Sequence, residues 1–326
     1  MSVEWSLVAD IGGTNARFSA LPLGALESEY TFNHSVEEHP RFSDLIVDVV
    51  REINQATGWH SAPKNACFAV ACPADNEEIV FTNSHWRFTK SELKALLNCE
   101  QVWVVNDFEA VAHGITELQD KDFVQIGGDK PASDKPIGIL GAGTGLGIAG
   151  LVKLGAGYHV LDTEGGHADF PPINDQQAAV VNLLREEYGR VSLERLLSGK
   201  GIRNIYKSLC TLESLEAVHD KPAEIVAAAL DGKDSIALQT LNMFCEGIGS
   251  AAGNLALTLG AKGGIYIAGG VIPKFQDFFV KSDFRHKFEE KGRFVNYLKP
   301  IPVFLVTRSN LGLIGAAKRL ILSKGA

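Results

Sequence analysis

Residues 6–21 read SLVADIGGTNARFSAL. The β-rich apolar run from Leu7 to Ile11 carries one charge, Asp10, stops at Gly12 and Gly13, offers Thr14 and Asn15, and then returns to apolar alternation. Strand, turn and strand make a hairpin, and a turn without side chains lets main-chain N–H groups approach a ligand closely. Residues 137–152, IGILGAGTGLGIAGLV, repeat the pattern with Thr144 inside the turn. The second copy starts about 130 residues after the first, one domain length on, so the chain reads as an internal duplication.

Further β-rich runs lie at 66–72, 101–106, 147–154, 263–270 and 303–306, and between them run segments of helical period such as FSDLIVDVVREINQAT (42–57), SIALQTLNMFCEGIGSAAGNLALTLG (235–260) and LGLIGAAKRLILSK (311–324). Alternating strands and helices imply an α/β fold with largely parallel sheets. With 326 residues the chain should form two lobes around a cleft, each turn facing that cleft. The boundary is expected near Asn106, with residues 1–106 and 309–326 in a small lobe and 107–308 in a large one. Gly247, Gly249 and Gly253 in the long helical segment suit either a hinge or close helix packing.

The net charge of −8 and the absence of a dense Lys/Arg stripe argue against nucleic acid. Cys67, Cys72, Cys99, Cys210 and Cys245 form no CxxC pair and no even framework, so they read as reduced thiols of a cytoplasmic protein. The first residues lack a basic start and a long apolar run, and the uncharged stretch 136–152 is short and rich in glycine, so neither export nor a membrane is expected.

Gly12, Gly13, Thr14 and Asn15 could offer main-chain donors and a hydroxyl to phosphate oxygens, and so could Gly143, Thr144 and Gly145; a plain hairpin turn is the alternative. A Walker A loop is excluded, because no Gly-Lys pair here precedes Ser or Thr. A dinucleotide fingerprint fails too, since Leu146 stands where its third glycine belongs and a strand-like run follows instead of a helix. Asp10 at the strand end could hold Mg²⁺ through water, or could cap its own turn.

In QVWVVNDFEAVAHG, Asn106 and Asp107 fall at the carboxyl end of a buried strand where a helix should begin. An ionised Asp there can accept the proton of an attacking hydroxyl; helix capping is the alternative. In TEGGHADF, Glu164 and His167 have metal-pair spacing, but Gly165 and Gly166 argue against the helix that would align them, whereas sugar hydroxyls suit such donors and acceptors. Glu194 is a weaker candidate, because a Glu on an amphipathic helix is usually on a solvated face. Gly269 and Gly270, between a strand and Pro273, would let a flat base slide over the backbone.

Together these residues resemble the bacterial glucokinases of the hexokinase, actin and Hsp70 ATPase superfamily, in the group without a cysteine-rich zinc motif. DIGGTNARF is similar to that family's first phosphate motif, GAGTGLG to its second and IAGGVIP to its adenosine motif, while VNDF, EGGH and ERLLSG look like its sugar-site segments. The resemblance implies a duplicated actin-like ATPase fold, related to ribonuclease H, with a central cleft. It implies ATP-dependent phosphorylation of the 6-hydroxyl of D-glucose, with Asp107 as base and Asn106, Asp107, Glu164, His167 and Glu194 holding the sugar. Residues Ala9, Asp10, Ile11, Gly12, Gly13 and Thr14, with Thr144, would hold the phosphates of ATP, and Gly269 and Gly270 would flank its adenosine. A homodimer is implied by the family alone. TNSHW (82–86) also looks like a family segment, with no role assigned to Asn83. The rival readings are a kinase for another hexose or an N-acetylhexosamine, and a non-catalytic sugar sensor; the sensor would want an added DNA-binding domain.

Overall fold

The computed structural model describes residues 3–81 and 84–323, so Asn83 lies outside the described residues. The chain divides into two compact units, Met1–Leu118 with Arg308–Ala326, and Gln119–Thr307.

In the first unit the strands are β1 (Trp5–Ile11), β2 (Asn15–Pro22), β3 (Thr31–Ser35), β4 (Asn65–Val70), β5 (Glu78–Val80), β6 (Arg87–Thr89) and β7 (Gln101–Asn106). Helices α1 (Phe42–Thr57), α2 (Lys90–Leu97) and α3 (Asp107–Ile115) join them, and the C-terminal helix Leu311–Leu322 packs on α3, β4 and β1. The main sheet runs β3-β2-β1-β4-β7, antiparallel through the first two pairings and parallel from β1 through β4 to β7.

Strand alternation sorts β1 between two layers. Trp5, Leu7, Ala9 and Ile11 enter the core shared with Leu45, Ile46, Val49 and Ile53 of α1, while Val8 meets Leu313, Ala316 and Ala317 of the C-terminal helix. Burial on both faces is why β1 reads as an almost unbroken apolar run. It also places Asp10, in phase with Val8, on the side of the C-terminal helix.

In the second unit lie β8 (Phe123–Gln125), β9 (Ile137–Ala142), β10 (Leu146–Leu154), β11 (Gly157–Thr163), β12 (Ile265–Ala268) and β13 (Val303–Val306). Their order is β11-β10-β9-β12-β13-β8. Two antiparallel pairings, β11 to β10 and β10 to β9, are followed by two parallel ones, β9 to β12 and β12 to β13, as in the first sheet. β8 is added antiparallel at the edge. The duplication expected from the two hairpins is thus present in the whole strand order.

The helices of this unit are α4 (Asp175–Tyr188), α5 (Leu193–Leu196), α6 (Gly199–Leu212), α7 (Pro222–Asp231) and α8 (Ser235–Leu259), followed by short helices that include Phe284–Glu289. A Cβ on Gly249 or Gly253 would strike the carbonyl oxygen of Phe284 or Phe288. These glycines let α8 lie against a short helix of its own unit, so close packing replaces the hinge reading.

The boundary also differs from expectation. Helix α3 belongs to the first unit, because main chain meets main chain where it crosses the C-terminal helix: a Cβ on Gly315 would land on the Ala110 carbonyl, and one on Gly114 would lie 2.6 Å from the carbonyl oxygen of Leu311. Exchanging glycine for alanine inside a helix ordinarily gains about 1 kcal/mol. Here steric overlap reverses the sign: Gly315→Ala should destabilise the protein by about 1–3 kcal/mol, read as a lower unfolding midpoint in denaturant.

Candidate active site

The first unit brings Asp10 and Asp107 to one edge of a sheet. Pairing sets Ile11 level with Val70, and Val70 level with Asn106, so β1 and β7 end together with β4 between them. At about 4.8 Å per strand step their ends lie roughly 10 Å apart. Ligands of parallel α/β sheets bind beyond such carboxyl ends.

Asp10 is largely enclosed. It pairs across the hairpin with Arg17, and its carboxyl group rests on the first turn of the C-terminal helix, where a Cβ on Gly312 would lie 2.7 Å from Asp10 Cγ. Burial pushes its pKa above the ordinary carboxylate range, against a smaller opposing pull from Arg17. A desolvated carboxylate of this kind suits a cation. Among the described residues no group of three or more His, Cys, Asp or Glu forms a preassembled metal site. Ala9 and Ile11, expected among the ligand contacts, have fully buried side chains, so their part is to hold Asp10 in place.

The first glycine turn closes with the Gly12 N–H donating to the Asn15 carbonyl at 2.9 Å, which takes that amide away from any ligand. The Val36 N–H donates to the Thr14 carbonyl at 3.0 Å, and Asn15 Nδ2 donates to Thr14 Oγ1 at 3.1 Å. Thr14 and Asn15 stand exposed at the tip. At the end of β7 the capping role goes to Asn106, whose Oδ1 accepts from the Phe108 N–H at 2.7 Å while Nδ2 donates to the Cys72 carbonyl at 3.4 Å. Asp107 is the first residue inside α3, half-buried, in the favourable field of the helix start. The buried Cys72 thiol is pushed up to about 11, by burial first and then by the charge of Asp107.

In the second unit four separate sequence segments meet around the turn Gly143, Thr144, Gly145. The Gly143 N–H donates to the Gly145 carbonyl at 2.8 Å, leaving Thr144 exposed at the tip. The Gly199 N–H, at the start of α6, donates to the Gly143 carbonyl at 2.8 Å, and the Val271 N–H donates to the Ala142 carbonyl at 3.1 Å. Gly269, at φ 90°, lies so close to the Ala142 main chain that no side chain fits, whereas Gly270 faces open space. Glu194 is half-buried, its Oε2 accepting from the Leu146 N–H at 2.9 Å, so it is no solvated surface residue. Gly165–His167 forms a single 3-10 turn despite its glycines, and it sets Glu164 Oε2 3.7 Å from His167 Nε2, both exposed. The glycines that argued against alignment allow it: a Cβ on Gly166 would strike the Leu146 carbonyl oxygen.

A model of the glucokinase family matches residues 7–322. The chain is 41% identical over 317 residues to the glucokinase of Hahella chejuensis, covering 97% of both. The chain belongs to the glucokinase family. The crystal structure of a glucokinase from an Antarctic psychrotroph superposes with a TM-score of 0.84 at 35% identity, covering 98% of this chain and 99% of that one. A ROK family glucokinase from Streptomyces griseus, solved in complex with glucose and AMPPNP, shares the fold with a TM-score of 0.64 at 18% identity, over 97% and 98% of the two chains. The fold is therefore the duplicated actin-like ATPase fold. No helix among the described residues is long and apolar enough to cross a membrane.

Two contacts have no counterpart in the sequence motifs: Gly312 beneath Asp10 in the first unit, and the α6 start at Ser198–Gly201 beside Gly143 in the second. Ser198 Oγ accepts from the Gly201 N–H at 3.0 Å, and a serine directly before a segment of helical period was the legible sign of that helix start. Gly312 left no sign, because its contact is distant in sequence. The raised pKa of Asp10 means that the folded state disfavours its charge. Below the ordinary carboxylate range both folded and unfolded chains hold the proton and no cost arises; as pH rises past the folded pKa the cost becomes complete. Asp10→Asn should therefore raise the melting temperature of the ligand-free protein at pH 7, by an increment that shrinks on acidification, measured by calorimetry across pH.

Proposed function

We propose that this member of the glucokinase family transfers the γ-phosphoryl group of ATP to the 6-hydroxyl of D-glucose, with Asp107 as the base. The sugar oxygen forms a bond to the γ-phosphorus, the bond from that phosphorus to the bridging oxygen breaks, ADP departs, and the hydroxyl proton passes to Asp107. The observation that carries this role is the division of labour at α3, where Asn106 takes the capping bond and the next residue presents a carboxylate at the edge of the sheet.

Exposed Thr14, Asn15 and Thr144, with Gly13 and Gly145, would supply hydroxyl and main-chain contacts to the phosphates, Gly143 would hold the turn through its own N–H, and Gly269 and Gly270 would leave a side-chain-free path for adenine. Asn106, Glu164, His167 and Glu194 would hold the sugar hydroxyls, acceptors and donors in combination. Asp10 is the residue that would hold Mg²⁺, through water, and the bound ion would neutralise phosphate charge. Positioning and charge neutralisation carry most of the rate in such reactions, and the base adds a further factor. We further place the protein in the cytoplasm as a homodimer; the location draws support from five buried free cysteines, the assembly from the family alone.

Asp107→Asn should lower kcat by about 10²–10⁴ while leaving the KM for ATP nearly unchanged, since removing a base affects the transition state and not nucleotide binding. A variant within about threefold of wild type would remove Asp107 from the mechanism. A coupled assay of ADP release across glucose, mannose, fructose and N-acetylglucosamine should give the highest kcat/KM with glucose; a higher value for another sugar would reassign the acceptor.

A further inference from the structure

The peptide of Leu146, where the second glycine turn re-enters β10, is held on both sides by sugar-site segments. Its N–H donates to Glu194 Oε2 at 2.9 Å, and its carbonyl oxygen is covered by Gly166 so closely that no side chain fits between them. The two segments are themselves tied: the Leu193 N–H donates to the Ala168 carbonyl at 2.8 Å, and the Ala168 N–H donates to the Gly165 carbonyl at 3.1 Å. Below Glu194, Ser198 Oγ donates to its carbonyl at 2.9 Å, and Gly199, next in the chain, donates its N–H to Gly143 at the other end of the turn. A Cβ on Gly145 would collide with Glu194 Oε2, so the carboxylate and the turn occupy one tightly matched space.

We infer that Glu194 is a positioning residue: one carboxylate oxygen fixes the Leu146 amide and with it the phosphate-binding turn, so that sugar held by this carboxylate and by Glu164 and His167 also sets the geometry of the nucleotide contact. The inference rests on the proposed glucose and ATP sites and adds a link between them inside one unit of the chain. Two acceptor atoms on one carboxyl group make the link physically direct, because a hydrogen bond to sugar through one oxygen constrains the torsion angles that aim the other. Linkage then requires reciprocity: if sugar tightens nucleotide binding, nucleotide tightens sugar binding by the same factor.

The test is a titration of purified protein with AMPPNP and Mg²⁺, with and without glucose, for wild type, Glu194→Ala, Glu194→Gln and Gly145→Ala. Loss of a charge-assisted hydrogen bond to a main-chain amide should weaken AMPPNP by about tenfold or more in Glu194→Ala even without glucose, and should abolish the tightening that glucose produces. Glu194→Gln keeps an acceptor and should stay within about threefold of wild type for AMPPNP. Gly145→Ala disturbs the same contact from the turn, so its effect should add less than fully to that of Glu194→Ala in the double variant. Circular dichroism melts of each variant establish that it is folded.

Unchanged sugar-free AMPPNP affinity in Glu194→Ala, with a raised KM for glucose alone, would overturn the positioning role and leave the glucokinase reading intact. So would equal losses in Glu194→Gln and Glu194→Ala, since the hydrogen bond would then not be the operative contact. Wild-type protein that bound AMPPNP but failed to phosphorylate glucose would instead overturn the proposed function. Wild type that failed to bind AMPPNP would overturn both.

Discussion

Main chain lying directly on main chain is the contact on which the rest of this structure depends. It occurs where Gly315 crosses Ala110, where Gly269 passes Ala142 and where Gly166 covers Leu146. Each crossing fixes a distance that a single methyl group would change, and close-packed interiors relax little when volume is added. The first seats the C-terminal helix against α3, the helix that Asp107 begins. The other two seat the segments around Gly269 and Gly166 against the second glycine turn. Glycine here trades helix or strand propensity for proximity, and the proximity is what holds these segments together within each unit.

Carboxylates of the same chemistry are sorted by their surroundings. Asp10 is enclosed against a helix start, and burial disfavours its charge. Asp107 stands at the opening of α3 beside a neighbour that has taken the capping bond. Glu164 is exposed and close to His167, while Glu194 is tied to a main-chain amide. Enclosure, a helix start, an imidazole neighbour and a main-chain amide are different surroundings, and desolvation and hydrogen bonding are the physical means by which they set the chemistry of each carboxyl group. Ionising Asp10 therefore works against the stability of the fold, because burial takes the carboxylate away from water.

The sequence is most legible where an element is long, periodic or buried on both faces. The segment 42–57 coincides with α1, and 101–106 and 303–306 coincide with β7 and β13. The edge strands β3 and β11 and the short β5, β6 and β8 were not anticipated, since half-exposed strands carry mixed composition and little apolar signal. Glu194 looked like a surface residue because a helical pattern cannot reveal that a turn 48 residues earlier docks against it. The glycines of EGGH looked like breakers of alignment for a similar reason: their use lies in a contact with β10 that local propensity does not describe.

Two hairpins with bare turns, a carboxylate before the first, and an Asn-Asp pair at the end of a buried strand were determined by the sequence alone, because each depends on neighbours in the chain. The duplicated strand order followed from the repetition of that phrase. Only the tertiary structure decided that α3 belongs with the C-terminal helix, that Gly312 lies under Asp10, and that Glu194 holds Leu146. Those facts come from contacts between distant segments, where the fit of one surface to another, and no local preference, selects the partner.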